Sequence, residues 1–147
     1  MRPPSAIRRN VLLVEDDPND RLILQHAFER AAPEIDLRMA VDGDDALNYL
    51  SGRLPYADRI AHPLPQIVLL DLKLPRRSGI ELLKWIREGR ELRGLPVFIF
   101  SSSQERRDID LAYALGANGY LVKQVDIRAL REIVRGIGAY ASILSAS

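Results

Sequence analysis

A chain of 147 residues with 47% hydrophobic content is long enough to bury most of its apolar surface in one domain. Its 21 Lys and Arg residues are interspersed with 20 Asp and Glu residues, which argues against a nucleic-acid partner, and the absence of cysteine excludes disulfides, thiolate nucleophiles and thiolate-ligated metals. No apolar run approaches a membrane span, and Met1 to Asn10 carries Arg2, Arg8 and Arg9 without the apolar core of a signal peptide, so a soluble, cytoplasmic protein is expected.

Along the chain, strand-sized apolar runs alternate with helical stretches. Val11 to Val14 is the first strand, followed by a helix over Pro18 to Ala31 that carries Leu22, Ile23, Ala27 and Ala31 near helical spacing. Leu37 to Val41 is the second strand, and a short helix from Asp44 to Leu50 stops at Ser51 and Gly52. Arg53 to Gln66, with Pro55, Pro63 and Pro65, is a long connection for a compact domain. Ile67 to Leu70, Val97 to Phe100 and Tyr120 to Val122 are the remaining strands. The helices between and after them run over Gly79 to Glu88, Glu105 to Leu115, and from an Asp126 cap through Ile137. The first, third and fourth strands show little period-two alternation, as expected of strands covered on both faces. Such alternation predicts an α/β fold with a parallel sheet, right-handed crossovers and ligands at the carboxyl ends of the strands.

Those strand ends supply Glu15, Asp16 and Asp17, then Asp71, Ser101 and Lys123. Singly, each has an ordinary role: a helix cap, a turn residue, a turn hydroxyl, a solvated lysine. Together in one crevice they suit a divalent cation and a phosphoryl group. Close carboxylates repel unless a cation lies between them, and Mg2+ accepts one or two carboxylates, a carbonyl and waters. Asp16 and Asp71 are assigned as direct ligands, Glu15 as a ligand through water, and the main-chain carbonyl of Lys73 as the remaining protein ligand. The Asp71 carboxylate can then attack phosphorus in line to form an acyl phosphate. Lys123 pairs with one phosphoryl oxygen and Ser101 donates to another, contacts that exist only after phosphorylation and so shift the conformational population.

Four segments carry a resemblance: Val14-Glu15-Asp16-Asp17, Leu70 to Pro75, Pro96 to Ser101, and Gly116 to Lys123. Over Asn10 to Gly138 the chain resembles the response-regulator receiver domains of two-component signalling. That implies a flavodoxin-like sheet in the order 2-1-3-4-5. It also implies a phosphoryl group passed from a sensor histidine kinase to Asp71, and magnesium held by Glu15 and Asp16. The same resemblance makes Ser101 the switch hydroxyl, Tyr120 the aromatic that turns inward with it, and Ser102 a small residue that keeps the pocket accessible. Lys73 and Ser103 match positions that flank the phosphoryl group and govern water attack. Tyr56-Ala57-Asp58-Arg59 with Pro63-Leu64-Pro65, and Ala112-Tyr113 with Ala117-Asn118, are similar to single-domain regulators of phytochrome-like kinases.

The organisation implied is an extension over 1–9, a receiver over 10–138 and a tail over 139–147 that extends the last helix. With no output domain after Gly138, a downstream phosphotransfer or effector protein is expected to act on the phosphorylated state. Ile137, Tyr140, Ile143 and Leu144 either belong to a frayed tail or form a homodimer contact through the last helix and strand. Where the family usually has proline after its lysine, this chain has Gln124, and a cis bond there would cost about 2.5 to 4 kcal/mol. His26 and His62 have no metal-ligand spacing, and Trp85 is a packing residue. Three other classes compete. An aspartyl-phosphate phosphatase needs a second acid where Lys73 stands, and a pseudo-receiver that binds without phosphorylation would lack Asp71, Asp16 or Lys123. A dinucleotide-binding domain would want a glycine-rich turn where Glu15-Asp16-Asp17-Pro18 stands.

Overall fold

In the computed structural model, which describes residues 9–123 and 126–146, strand and helix alternate throughout. The elements are β1 (Arg9–Val14), α1 (Pro18–Ala31), β2 (Ile35–Ala40), α2 (Gly43–Ser51), β3 (Ile67–Leu70), α3 (Gly79–Glu88), β4 (Val97–Ser101), α4 (Arg106–Ala114), β5 (Gly119–Val122) and α5 (Ile127–Ala146). All five strands pair in parallel in the order β2-β1-β3-β4-β5, as the resemblance implied. Among the described residues no helix is long and apolar enough to cross a membrane.

Successive side chains of a strand point to opposite faces, and the apolar runs therefore feed two cores. Leu12, Val14, Val68, Leu70, Val97 and Ile99 face α2, α3 and α4, where they meet Leu47, Leu82, Leu83, Ile86 and Ala112. Val11, Leu13, Ile67, Leu69 and Phe100 face α1 and α5, against Leu24, Phe28, Leu130, Val134 and Ile137. Each such fully buried aliphatic side chain contributes about 1.5–3 kcal/mol. β3 throughout, β1 from Val11 to Val14 and β4 from Val97 to Phe100 are apolar for this reason, while β5 at the sheet edge is half-buried.

Three expectations are corrected. The buried stripe of α1 is Leu24, Ala27 and Phe28, and the expected Leu22 and Ile23 are exposed on the outer side. An apolar pair at adjacent positions spans too wide an arc for one buried face, and Leu24 with Phe28 takes the sheet side. β2 begins at Ile35 and ends at Ala40, leaving Val41 exposed. There Asp45 accepts from the Val41 N–H at 3.0 Å and Asp42 caps α2, so the chain leaves the sheet one residue early. The helix expected over Glu105 to Leu115 is Arg106–Ala114, bounded by its cap residues Glu105 and Leu115.

The long connection after α2 is ordered by the residues singled out there. Arg59 donates to the carbonyls of Tyr49, Leu50 and His62, closing the carbonyl end of α2. Tyr56 lies 4.9 Å from Tyr49 and 5.1 Å from His62, ring centre to ring centre, and its hydroxyl donates to Asp45 at 2.6 Å. Asn118 has a comparable task beside β4: its Oδ1 accepts from the Val97 N–H and from Arg87.

α5 continues through Gly136 and Gly138 to Ala146. Ile137 and Ala141 are buried in the α1 core, Tyr140 meets Phe98 edge-on at 6.1 Å, and Ile143 is exposed.

Gly79 sets the approach of α3 to the end of β3. A Cβ there would lie 2.1 Å from the Asp71 carbonyl oxygen and 2.7 Å from Leu72 Cα, both backbone atoms that cannot turn aside. Gly79→Ala is expected to lower the unfolding free energy by about 1–3 kcal/mol, read as a lower urea midpoint at unchanged slope. An unchanged midpoint would show that the β3–α3 loop yields freely.

Candidate functional site

The backbone ladder continues one residue past each strand, and this sets the positions of the site. The Glu15 N–H donates to the Ala40 carbonyl at 3.0 Å, the Asp71 N–H to Val14 at 3.1 Å, and the Lys123 N–H to Ser101 at 2.9 Å. Two carboxylates and one ammonium are thereby held at the ends of β1, β3 and β5 by the sheet itself.

Glu15, Asp16 and Asp71 each offer a carboxylate oxygen, all within 4.8 Å of one another. Glu15 is 1% exposed, Asp71 6%, and Asp16 lies open to solvent. Lys123 reaches across them, its Nζ 2.6 Å from Glu15 Oε1 and 2.9 Å from Asp71 Oδ2. Burial pushes the Glu15 carboxyl up to about 7, aided by the Asp71 charge and only partly offset by Lys123. Burial alone would lower Lys123, but the close carboxylates of Asp20, Glu15 and Asp71 outweigh it and hold the side chain as an ammonium above its ordinary range.

The β1–α1 turn is braced from both sides. Asp17 caps α1 by accepting from the Asn19 N–H at 2.8 Å, and its own N–H donates to Glu15 Oε2 at 3.2 Å. Arg21 Nη1 donates to the carbonyls of Glu15 and Asp16, each at 2.9 Å. On the other rim, the β3–α3 loop puts the exposed Lys73 beside Asp71, with the Lys73 N–H donating to Asp71 Oδ1 at 3.3 Å. Arg76 holds a left-handed φ of 70° in that loop and pairs with Asp42 at 3.2 Å, while Arg77 pairs with Asp44 at 3.3 Å.

Ser101 is fully buried, and its hydroxyl accepts from the Ser103 N–H at 3.2 Å. The Ser103 hydroxyl donates to Asp108 of α4, so this residue is tied into the start of that helix. Ser102 is exposed between them. Tyr120 is half-buried against the α3 core, and its hydroxyl donates to the Ser103 carbonyl at 2.8 Å, which couples β5 to the β4–α4 loop. Gln124, whose peptide bond with Lys123 is the departure noted above, lies outside the described residues, as do residues 1–8 of the expected extension.

Asp20 and Arg21 were missed by sequence reasoning. Asp20 Oδ2 accepts from Lys123 Nζ at 2.8 Å. The signal was present: Asp20 is the acid in the first turn of α1, just after the acidic run Glu15-Asp16-Asp17 that leads into the helix.

The donor set suits a divalent cation. Glu15 Oε1 is buried without a well-aligned hydrogen bond, held near the ammonium by charge, and three carboxylates converge with one amine between them. Hard oxygen donors in this number, one of them open to solvent, fit an ion that keeps part of its water shell.

The profile of the response regulator receiver domain matches residues 11–135. Response regulator Rcp1 of Synechocystis sp. is 31% identical over 138 residues, covering 94% of this chain and 89% of that protein. A crystal structure of the Mn(2+)-bound form of Rcp1 has a TM-score of 0.79 at 30% identity, over 90% of this chain and 93% of that one. Response regulator RPA3017, in red light signaling of R. palustris, is 39% identical with a TM-score of 0.83, over 90% and 92% of the two chains. The phosphorylated cyanobacterial phytochrome response regulator RcpA is 32% identical with a TM-score of 0.81, over 90% and 93%. Agreement of this extent, in sequence and in backbone along nearly the whole of each partner, joins the geometry of the crevice in one conclusion: the chain belongs to the response regulator receiver domain family.

Proposed function

We propose that Asp71 accepts a phosphoryl group from the phosphohistidine of a sensor kinase of the phytochrome type, with Mg2+ in the crevice, and that the modified protein then changes its affinity for a partner. The observation that carries this reading is the Asp71 carboxylate, nearly buried at the end of β3, with Glu15 and Asp16 within 4.8 Å and the Lys123 ammonium at 2.9 Å. An Asp71 oxygen attacks phosphorus in line, the phosphorus–nitrogen bond to the donor imidazole breaks with its electron pair going to nitrogen, and an acyl phosphate results. When bound, Mg2+ supplies charge that lets an anionic donor approach an anionic nucleophile. Asp16, Asp71 and the Lys73 carbonyl would hold it, with Glu15 reaching it through water.

Lys123 meets one phosphoryl oxygen and Ser101 another, which draws the β4–α4 loop toward the site. Tyr120, bonded to that loop at Ser103, is the element that carries the shift to the surface. The chain acts as a phosphoacceptor that promotes its own phosphorylation and slow dephosphorylation, in the cytoplasm with its kinase. A downstream phosphotransfer or effector protein would act on the result. An apolar groove lined by Phe98, Leu121, Ile133 and Tyr140 beside β5 and α5, with Ile143 exposed, supports a homodimer through this face.

The test is labelling with Mg2+ and radioactive acetyl phosphate. Wild type is expected to take an acid-stable, hydroxylamine-sensitive label, and Asp71→Asn none. An unlabelled wild type, or equal label on Asp71→Asn, would overturn the reading. Lys73, exposed beside the nucleophile, is assigned to shield the acyl phosphate from water. Lys73→Ala is expected to shorten its lifetime roughly threefold in a chase experiment, and an unchanged decay would remove Lys73 from that role.

A further inference from the structure

Lys123 spans the mouth of the crevice. Its backbone is held at the end of β5 by the bond to Ser101, while its Nζ lies 2.8 Å from Oδ2 of Asp20 in the first turn of α1. An ammonium has three N–H donors. Two of them go to Asp20 at 2.8 Å and Asp71 at 2.9 Å, while Glu15 Oε1 lies 2.6 Å away as an ion-pair partner.

The three carboxylates differ in what phosphorylation does to them. Asp71 becomes an acyl phosphate, and Glu15 belongs with Asp16 to the group that suits a divalent cation. Asp20 lies outside that group and takes no part in the bond that forms. Its partnership with Lys123 is the one that neither the cation nor the acyl phosphate takes away. Without such an anchor, a flexible four-carbon stem ending in a strongly hydrated charge would sample solvent.

We propose that Asp20 is a positioning residue, keeping the Lys123 ammonium beside Asp71 through the phosphorylation cycle so that an N–H already faces the phosphoryl oxygens as charge develops there. The proposal rests on the phosphoacceptor assignment of Asp71. It also predicts a sign opposite to that of simple electrostatics. Asp20 adds a negative charge to the mouth through which an anionic donor must pass, so if Asp20 acted only as a charge, its removal would speed phosphorylation.

The experiment follows the initial rate of labelling against acetyl phosphate concentration at saturating Mg2+. The proteins are the full chain as wild type, Asp20→Asn, Asp20→Glu and Asp71→Asn, each checked by circular dichroism to be folded at the assay temperature. Asp20→Asn is expected to lower the maximal rate roughly tenfold, with the half-saturating concentration of acetyl phosphate nearly unchanged. Asp20→Glu is expected to recover most of that loss. An Asp20→Asn rate at or above wild type overturns the proposal, as does a fall shared equally by Asp20→Glu. A wild type that takes no label is a different failure, one that strikes the phosphoacceptor assignment itself.

Discussion

In metal-free buffer the protein is expected to lose about 3 kcal/mol of stability between pH 5 and pH 8, an unusual direction for a carboxylate. The cause is Glu15, 1% exposed, whose carboxyl burial pushes up from 4.5 to about 7. Below the lower value both states are protonated and the group contributes nothing. Between the two values the unfolded chain has released this proton while the folded protein retains it, so stability falls as pH rises. Above the higher value the folded protein carries the full cost of a buried charge. Lys123 adds no slope in this window, because its ammonium is protonated both folded and unfolded until far more alkaline pH. Adding Mg2+ at about a hundred times its dissociation constant restores roughly 2.7 kcal/mol, and the gain is larger at pH 8 than at pH 5, where the ion competes with the proton. Urea unfolding at a series of pH values measures both effects. Glu15→Gln is expected to flatten the profile, and an identical slope in that variant would assign the titration to another group.

Lys123→Met is expected to destabilise the metal-free protein by about 3–5 kcal/mol at pH 8. The substitution keeps an unbranched chain of similar length but removes the cation shared by Glu15, Asp20 and Asp71. Removing one member of a buried charge set is costly because the others are left without a partner. The loss is a large fraction of the 5–15 kcal/mol that holds an ordinary domain together. It should shrink at pH 5.5, where Glu15 takes up a proton and part of the repulsion disappears, and again with Mg2+, which replaces the missing charge. Thermal unfolding of both proteins under these conditions is the check. Equal destabilisation at both pH values would mean that Lys123 contributes packing and not charge. If Lys123 meets the phosphoryl group as proposed, the same variant should also label far more slowly.

Much of this was legible before any coordinates. Ile67 to Leu70 and Val97 to Phe100 read as strands because both faces of each are covered, which leaves no polar position to blur the run. α1, β3 and α3 have the predicted bounds because Asp17, Ser78 and Gly89 mark their ends chemically. β2 was harder. It lies at the edge of the sheet with one side half-open, so Asp36 and Arg38 are tolerated there and the apolar signal weakens.

The sequence by itself determined the alternation of strand and helix, and with it the convergence of Glu15, Asp16, Asp71 and Lys123, since parallel strands connected through helices deliver their carboxyl ends to one side. Only the tertiary structure decided which side of α1 turns inward. That rotation exposes Leu22 and Ile23, buries Leu24 and Phe28, and brings Asp20 to an ammonium 103 residues away. The physical reason is that strand ends follow from chain order, whereas the phase of a helix is set by packing against a sheet that local sequence does not contain.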